Sequence, residues 1–545
     1  MRLFNSEEIK RATGDVFGRI YEYFLAKFSI QKAHDNGEFF TPPSIVQTIV
    51  NVIEPDHGTV FDPACGSGGM FVQSSHFIER EGFDTTKRVI FYGQEKNPDT
   101  IRIAKMNLAV HGLEGHIAEA ITYYQDEHNL AGQCDFVMAN PPFNVDLVDA
   151  ERIKNDPRLP FGLPGVNKDK RVSNGNYLWI SYFWSYLNKT GRAGFVMSSQ
   201  ASSAGHAEAE VRRKIIETGD VDVIISIRSN FFYTRSVPCE LWHFDLNKPD
   251  ERRDKVLMID AQNIYRKVTR KINDFSPEQQ KNIAAIVWLY RGQHERFIAL
   301  VQEYTERTLA EAASISTKAD AFRSAYAALT DGIPKDSLPG ESVKERDDAA
   351  KACCESIGHL VSRIEKTKAC EPKLEKQKKL LVDLGQLATT CRDLIKDVDL
   401  VFKLATRAID AAKKEAAEKN GELKWNRRAI GKLQKELDAR RKELVEQLKS
   451  FSYFERQGHW LVSRFPDAKL VDVPGLVKLL DRKEIEAADW SLTPGRYVGV
   501  APPQVDEDFD FEEALREIHV ELADLNHEAA ELARNIQKNF EQLSV

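Results

Sequence analysis

Short apolar runs recur through the first 300 residues of this chain, and several are followed by a turn that contains glycine or proline. Their length and content predict buried strands. The runs are residues 59–61, 89–94, 134–139 and 255–260. Apolar positions at helical spacing predict an amphipathic helix over residues 44–53 and a longer helix over about 277–305. Strands that alternate with helices predict the α/β fold class for this part of the chain.

A different pattern begins after residue 300, where Ala, Lys, Glu and Leu dominate and long helices are predicted up to about residue 450. Apolar positions on one helix keep a spacing of three and four: Leu381, Leu384, Ala388, Cys391, Ile395, Val398, Phe402, Ala405, Ile409 and Ala412. After a turn near residues 420–421, the pattern returns at Ile430, Leu433, Leu437 and Leu444. These heptads predict a two-helix antiparallel coiled coil. Packing on its own domain and binding a partner both remain open for this coiled coil.

The two ends of the chain carry further amphipathic patterns. Near the C-terminus one predicted helix shows a heptad stripe: Phe511, Leu515, Ile518, Leu522, Leu525, Ala529, Leu532 and Ile536. A stripe this regular needs a partner surface, either on another protein or on the coiled coil of this chain. The spacing of Val16, Ile20, Phe24 and Phe28 predicts one amphipathic helix at the start.

These patterns divide the chain into four parts. We predict an N-terminal helix over residues 1–36, an α/β domain over 37–300 and a helical coiled-coil region over 301–450. A C-terminal segment with its terminal helix follows over 451–545.

Composition excludes several classes of protein. No run approaches the roughly 18 apolar residues of a membrane helix, and the start lacks the apolar core of a secretion signal. We therefore expect a cytoplasmic protein with no membrane partner. Seven cysteines without a C-x-x-C pair predict neither a metal site nor a disulfide framework. The adjacent Cys353 and Cys354 are expected on a helix.

The motif Asn140-Pro141-Pro142-Phe143 directly follows the predicted strand 134–139. Two prolines make a stiff turn, which can hold the Asn140 side chain and the Pro141 carbonyl as two acceptors directed at one spot. Phe143 adds a flat apolar face. Two acceptors and an aromatic ring suit a planar exocyclic amine. The alternative is a strand-ending turn with a core phenylalanine.

Upstream of this motif lie three elements typical of a nucleoside site. The strand 59–61 runs into the turn Asp62-Pro63-Ala64-Cys65-Gly66-Ser67-Gly68-Gly69, whose glycines permit close approach of a ligand to the backbone. Glu95 ends the strand 89–94, where an acidic side chain typically binds a ribose diol. The stretch Gly37-Glu38-Phe39-Phe40-Thr41-Pro42-Pro43 precedes the first amphipathic helix.

These motifs in this order resemble the modification (M) subunits of type I restriction-modification systems, which are DNA adenine-N6 methyltransferases. The resemblance rests on GEFFTPP, FDPACGSGGM, YGQEKNP, AKMNLAVHG, MANPPFN, GRAGFVMSSQ and SLTPGRYVG. It implies a Rossmann-like domain that uses S-adenosylmethionine as methyl donor. It covers residues 14–300 closely and the part after 450 more loosely.

The resemblance also implies roles for individual residues. The methionine end of the cofactor would meet Glu38, Phe39, Phe40, Thr41, Pro42 and Pro43. The glycine-rich turn would contribute Asp62, Gly66, Ser67, Gly68 and Gly69, and Glu95 would bind the ribose. The catalytic loop would consist of Asn140, Pro141, Pro142 and Phe143, with the target adenine flipped out of double-stranded DNA and stacked on Phe143.

Two departures from the family pattern concern the cofactor and the front end. Many relatives carry a Gly-Asp pair before the catalytic strand, whereas residues 118–124 read AEAITYY. Asn97, Pro98 or backbone groups are then the candidates for binding the cofactor adenine. Residues 1–36 are expected to be a short remnant of the helical domain that M subunits usually place before GEFFTPP.

The expected partners follow from the net charge and from the lack of a recognisable target-recognition domain. The net charge of −7 is unusual for a stand-alone DNA binder, and no target-recognition domain is apparent after residue 300. We expect a separate specificity (S) subunit, a second M subunit and, for cleavage, a restriction (R) subunit. The polar loop over residues 168–176 is either a path for the DNA strand or a solvated surface loop.

Three alternatives remain. The same loop serves cytosine-N4 methyltransferases, and a related Asn-Pro-Pro-Tyr loop methylates glutamine amides in translation factors. A non-catalytic cofactor-binding scaffold is the third alternative.

Overall fold

We describe the protein from a computed structural model. It describes residues 41–232, 237–269, 272–333, 340–418 and 427–501, together with single positions within 20–24 and 515–537. The chain divides into two compact units, Met1–Ala501 and Pro502–Val545. Predictions for residues 1–40, apart from Ile20 and Phe24, lie outside the described residues.

The strands of the first unit form one large sheet and two short hairpins. Strands β1 to β13 are Gly58–Asp62, Val89–Glu95, Gly115–Glu119, Cys134–Ala139, Val148–Asp149, Arg171–Val172, Leu187–Ser198, Val221–Ile227, Cys239–Asp245, Lys255–Asp260, Arg266–Thr269, Ile272–Asp274 and Val477–Asp481. The large sheet has nine strands in the order β13-β10-β8-β9-β7-β4-β1-β2-β3. The pairs β5–β6 and β11–β12 are the hairpins.

Helices cover both faces of this sheet and continue beyond it. Helices α1 to α14 are Pro43–Ile53, Gly69–Arg80, Thr85–Arg88, Pro98–Val110, Ala150–Ile153, Asn176–Tyr186, His206–Glu217, Asp250–Arg253, Pro277–Tyr290, His294–Asp331, Gly340–Lys366, Leu374–Glu418, Arg427–Arg464 and Arg482–Ala487. Helices α1, α2 and α9 contribute to one apolar core and α6 and α7 to a second. None of the described helices is long and apolar enough to cross a membrane.

The predicted α/β Rossmann-like fold class is confirmed. Strands β3, β2, β1, β4 and β7 pair in parallel in the order 3-2-1-4-5 of a doubly wound sheet. The sheet continues through the antiparallel β9 to β8 and β10, which run parallel to the first five strands. Because strands β1, β2 and β4 are parallel neighbours, the loops that follow them meet at one edge of the sheet, which we call the carboxyl edge.

The predicted strands agree closely with the observed ones, but the predicted helix over 277–305 is wrong. The structure has two helices, α9 and α10, that are separated at residues 291–293. Gly292 adopts a φ of +76°, which stops the helix because this left-handed conformation suits glycine. The side chain of Tyr304 then donates to the Glu278 carbonyl at 3.1 Å, so α10 runs back antiparallel to α9.

The long helices after residue 300 form an arm of four helices, α10 to α13. The predicted antiparallel pairing of α12 with α13 is observed, because Arg441 contacts Asp399 at 2.5 Å and Gln434 contacts Thr406 at 3.3 Å. Two further helices, α10 and α11, lie beside this pair. Helix α12 also contacts α10 and α11, and it carries a second buried stripe, which consists of Leu380, Leu387, Leu394, Val401 and Ala408. The described cysteines are all free, and Cys353 and Cys354 lie on α11 as predicted.

The predicted boundaries at residues 300 and 450 fall inside the continuous helices α10 and α13. The first turns of α10 pack in the core of the α/β domain, and its later turns pack in the core of the arm. After α13 the chain returns to the sheet, where β13 pairs antiparallel with β10. Residues 477–481 therefore form a strand of the α/β sheet, although they lie outside residues 37–300, the predicted α/β domain.

Candidate active site at the carboxyl edge

The glycine-rich turn after β1 leaves open space at the carboxyl edge. Gly66 has a φ of +51° and Gly68 a φ of +79°, both in the left-handed region that favours glycine. A Cβ atom added at Gly66 or Gly69 would meet nothing within 4 Å. The helix α2 begins at Gly69, so its first N–H groups face this space. Asn107, a residue that the sequence did not single out, secures the turn by donating to the Ser67 carbonyl at 2.9 Å.

Two carboxylates lie beneath this turn. Asp62 is almost completely buried and accepts the Ala64 N–H at 2.9 Å. Burial raises the pKa of Asp62 well above its usual range, the Ala64 N–H opposes this shift, and the Glu95 charge adds to it. Glu95 accepts the Gly66 N–H at 3.3 Å and the Asn97 N–H at 3.0 Å. Its carboxylate thus joins the end of β2 to the glycine-rich turn, in the position predicted for a ribose-binding group.

Residues 118–124, which lack the Gly-Asp pair of the family pattern, include a threonine that links three strand ends. Thr122 accepts from Gln94 at 2.9 Å and donates to the Pro63 carbonyl at 2.6 Å, which ties together the ends of β1, β2 and β3. The Asn97 side chain accepts the Asp99 N–H at 2.9 Å and caps α4. A capping role engages the side-chain oxygen of Asn97, one of the candidates for binding the cofactor adenine.

Asn140 lies at the end of β4 with its amide held from one side. Its Nδ2 donates to the Thr41 hydroxyl at 2.8 Å, and its Oδ1 is buried with no hydrogen-bond partner among the described residues. A buried acceptor without a partner costs about 1–3 kcal/mol, so this oxygen is suited to accept a hydrogen bond from a ligand. Thr41, predicted at the methionine end of the cofactor, is placed against the catalytic-loop asparagine.

The prolines and Phe143 complete this loop. Pro141 is buried and Pro142 is exposed. Phe143 is half-buried and packs against both apolar cores. Part of the Phe143 ring therefore belongs to the apolar cores, as expected for a strand-ending turn with a core phenylalanine. The other part remains exposed at the carboxyl edge.

The polar loop at residues 173–176 clamps the catalytic loop. Asn176 accepts the Asn144 N–H at 2.8 Å and donates from Nδ2 to Asn144 Oδ1 at 2.9 Å. Asn174 donates to the same oxygen at 3.2 Å. Asn144 has a φ of +54°, a conformation that asparagine tolerates better than most residues. Asn176 is buried and holds the loop that follows β4. This position matches neither alternative considered for the polar loop, a path for the DNA strand or a solvated surface loop.

The remaining predicted cofactor residues divide into two groups. Pro42 and Pro43 begin α1, and the Pro42 carbonyl accepts the Ile45 N–H at 3.0 Å. Glu38, Phe39 and Phe40 lie outside the described residues. No cluster of three or more potential metal ligands occurs among the described residues.

The segment SLTPGRYVG closes the same edge of the sheet beside β7. The Leu492 N–H donates to the Ser202 carbonyl at 2.8 Å, and the hydroxyls of Ser202 and Thr493 are 2.7 Å apart. Ser202 also lies 3.0 Å from the buried Glu240 carboxyl. Burial raises the pKa of Glu240 to about 8, so this carboxyl holds its proton at neutral pH. The C-terminal part of this unit is thereby joined to the ends of β7 and β9 through a hydrogen-bond network.

Comparison with known proteins identifies the family. Residues 12–313 match the family described as N-6 DNA Methylase. This match covers more than half of the chain, and the chain belongs to that family.

Two relatives and one solved structure illustrate the similarity. The chain is 44% identical over 273 residues to the methylase subunit of the type I restriction enzyme MjaIX from Methanocaldococcus jannaschii, covering 49% of this chain and 48% of that protein. It is 34% identical over 284 residues to the HindI methylase subunit from Haemophilus influenzae, covering 52% and 62%. The crystal structure of a type I methyltransferase subunit from Streptococcus thermophilus is 25% identical, covers 51% and 58%, and has a TM-score of 0.44. The chain thus spans about half to three-fifths of the length of these relatives.

Proposed function

We propose that this chain is the modification subunit of a type I restriction-modification system and methylates N6 of adenine in DNA. The unpartnered, buried Oδ1 of Asn140 is the observation on which this proposal chiefly rests. Family membership supports the reaction class, and the relatives named as type I methylase subunits support the system. A subunit with this function acts in the cytoplasm, where its DNA substrate is found.

The open space at the glycine-rich turn is the proposed site of S-adenosylmethionine. Gly66, Ser67, Gly68 and Gly69 would hold it through backbone N–H groups, and Glu95 would accept from the ribose hydroxyls. Asp62 lies buried beneath the turn, and the stretch from Glu38 to Pro43 remains the proposed contact of the methionine end. When bound, the cofactor supplies an electrophilic methyl group on a sulfonium.

Asn140 and Pro141 would prepare the adenine amine for reaction. This amine is a poor nucleophile because its lone pair is delocalised into the ring. Acceptance of its two N–H bonds by Asn140 Oδ1 and the Pro141 carbonyl would draw the nitrogen toward a tetrahedral geometry and free that lone pair. No general base is needed before transfer, so positioning and charge arrangement supply most of the rate.

The target adenine would have to leave the DNA helix to reach these acceptors. Asn140 lies at the end of a buried strand, a place that a base within a duplex cannot enter. The exposed part of Phe143 would stack on the flipped base. Its rigid attachment to both cores would hold the ring of the base in place.

Sequence specificity would come from an S subunit. The described positions of the C-terminal unit include exposed apolar side chains at heptad spacing: Leu515, Ile518, Leu522, Leu532 and Ile536. Such a stripe suits a helical partner. We place the S subunit there, with a second copy of this chain for methylation and an R subunit for cleavage.

Methyl transfer from tritiated S-adenosylmethionine to unmethylated DNA, with and without the cognate S subunit, tests this function. The DNA is then digested to nucleosides, which identifies the methylated base. N6-methyladenine formed only with the S subunit is the expected result. N4-methylcytosine would favour the cytosine alternative, and cofactor binding with no transfer under either condition would favour a non-catalytic scaffold.

A further inference from the structure

A basic pocket lies where the arm joins the α/β domain, in the turn between α11 and α12. Its volume is about 500 Å³. Five basic side chains and one carboxylate line it: Arg363, Lys366, Lys368, Lys376, Lys379 and Asp383. No aromatic side chain lines it. This concentration of positive charge stands out in a chain whose net charge is −7.

Most of this charge is not neutralised by the surrounding protein. Glu371 lies 3.1 Å from Lys373 and 3.2 Å from Lys376. Lys366, Lys368 and Lys379 form no ion pair within the described part of the chain, and all three are exposed. The pocket therefore carries net positive charge that is open to solvent and suits an anionic ligand.

The direction of α12 adds to this positive charge. The helix begins at Leu374, so Lys376 and Lys379 lie in its first two turns. Cations near a helix N-terminus face the positive end of the helix dipole, whereas an anion there is stabilised. The helix and the lysines therefore favour the same ligand, a group with negative charge.

The pocket lies at the same edge of the sheet as the catalytic loop. Asn273, just before α9, donates to the carbonyl of Asn230, which follows the carboxyl end of β8. Because α10 runs antiparallel to α9, Thr305 of α10 lies beside the start of α9, near the carboxyl end of β8. Thr305 contacts Gln377 of α12 at 2.7 Å. The turn that forms the pocket is thus at the carboxyl edge.

We propose that this pocket binds the phosphate backbone of duplex DNA that extends beyond the flipped adenine. The inference rests on the proposed function for its choice of DNA as the polyanion. Dispersed lysines suit successive phosphates, because each acts as a point charge. Contacts to phosphates carry no sequence information directly, so we expect this contact to be independent of sequence.

The salt dependence of DNA binding tests this contact. The full-length wild type, in complex with the S subunit, is compared with a Lys366→Gln/Lys379→Gln variant in the same complex, and a Lys396→Gln/Lys403→Gln variant changes two exposed lysines further along α12 as the control. Binding to a fluorescent duplex of about 40 base pairs is followed by anisotropy over a range of sodium chloride. Removal of one lysine that binds a phosphate lowers the slope of log K against log salt by about 1, so the slope for the pocket variant should fall by about 2.

The control should keep the wild-type slope, and thermal midpoints check that each variant folds. An unchanged slope in the pocket variant would overturn the inference, as would failure of the wild type to bind the duplex. Inorganic phosphate is titrated in parallel. Stabilisation by phosphate alone, with the DNA slope unchanged, would assign the pocket to a small anion instead. Failure of the proposed function shows separately, as absence of methyl transfer by the wild type with the S subunit.

Discussion

The Asn140 amide donates to the Thr41 hydroxyl at 2.8 Å, and the Oδ1 of the same amide is buried with no partner among the described residues. This contact fixes which end of the amide faces the carboxyl edge. An amide free to rotate would present its NH2 group half of the time and repel the amine of the substrate. We therefore expect Thr41 to act as a positioning residue for Asn140.

Replacement Thr41→Val should lower kcat for methyl transfer by about 10- to 100-fold, because a misdirected acceptor loses the aligned geometry. Thr41→Ser keeps the hydroxyl and should restore most of the rate. Affinity for S-adenosylmethionine, measured by calorimetry, should change little in both variants. A large loss of cofactor affinity with an unchanged kcat would place Thr41 at the cofactor.

The Asn144–Asn176 pair should be coupled in catalysis. Asn176→Ala removes two of the three hydrogen bonds that hold Asn144, the residue after Phe143, whereas Asn144→Gly removes the two bonds to its side chain and tolerates the left-handed backbone. Each variant should lower kcat without altering cofactor affinity. The double variant should be little worse than Asn176→Ala alone, because residues that act together are not additive. Independent, multiplicative losses in a double-mutant cycle would contradict the clamp.

Replacement Glu95→Gln should weaken binding of S-adenosylmethionine by about 10- to 100-fold, the loss expected for charge-assisted hydrogen bonds. Glu114→Gln is the matched control, since Glu114 precedes β3, is exposed and lies at the edge of the sheet opposite the carboxyl edge. Calorimetry measures both affinities, and thermal midpoints verify folding. Equal affinities for wild type and Glu95→Gln would exclude Glu95 from the cofactor site.

Glu240 should make the protein less stable as the pH rises. Burial raises its pKa from 4.5 to about 8, so between these values the unfolded chain releases a proton that the folded chain keeps. Stability then falls with rising pH by up to about 1.4 kcal/mol per pH unit. Burial also lowers the pKa of His243 to about 4, which acts in the opposite direction below 6.5, so the range from pH 6.5 to 8 avoids this opposing effect.

Thermal midpoints of wild type, Glu240→Gln and the exposed control Glu486→Gln should be compared across this range. The amide can mimic the neutral carboxyl toward Ser202 and Trp242. The midpoint of the wild type should therefore fall relative to that of Glu240→Gln as the pH rises. Parallel curves for these two proteins would show that Glu240 does not titrate in this range.

Local features of the fold could be predicted from the sequence because they depend on neighbouring residues. The strand over residues 134–139 was predicted with its observed limits, and the turn at Asn140 follows from two adjacent prolines. The break at Gly292 was missed because helical periodicity continues across it in α9 and α10. The left-handed glycine was the available signal.

Contacts between distant segments could not be predicted in this way. The pairing of β13 with β10 joins residues more than 200 positions apart, and alternation along one strand does not reveal its neighbour. The second stripe of α12 was missed for a related reason. One heptad pattern is enough to explain the pairing of α12 with α13, so the sequence does not reveal that α12 has further helical neighbours. The role of Asn176 depends on a backbone amide of the catalytic loop, and a polar loop in the sequence does not indicate which group it faces.

The most direct test of the central claim compares wild type with Asn140→Ala in the complex with the S subunit. Tritiated methyl transfer to DNA and binding of S-adenosylmethionine are measured on the same preparations. We predict that transfer falls by at least about 100-fold, the scale of loss for a group that acts on the transition state, while cofactor affinity stays near the wild-type value. Retained transfer, or an equal loss of cofactor affinity, would contradict the assignment of Asn140 as the acceptor of the adenine amine.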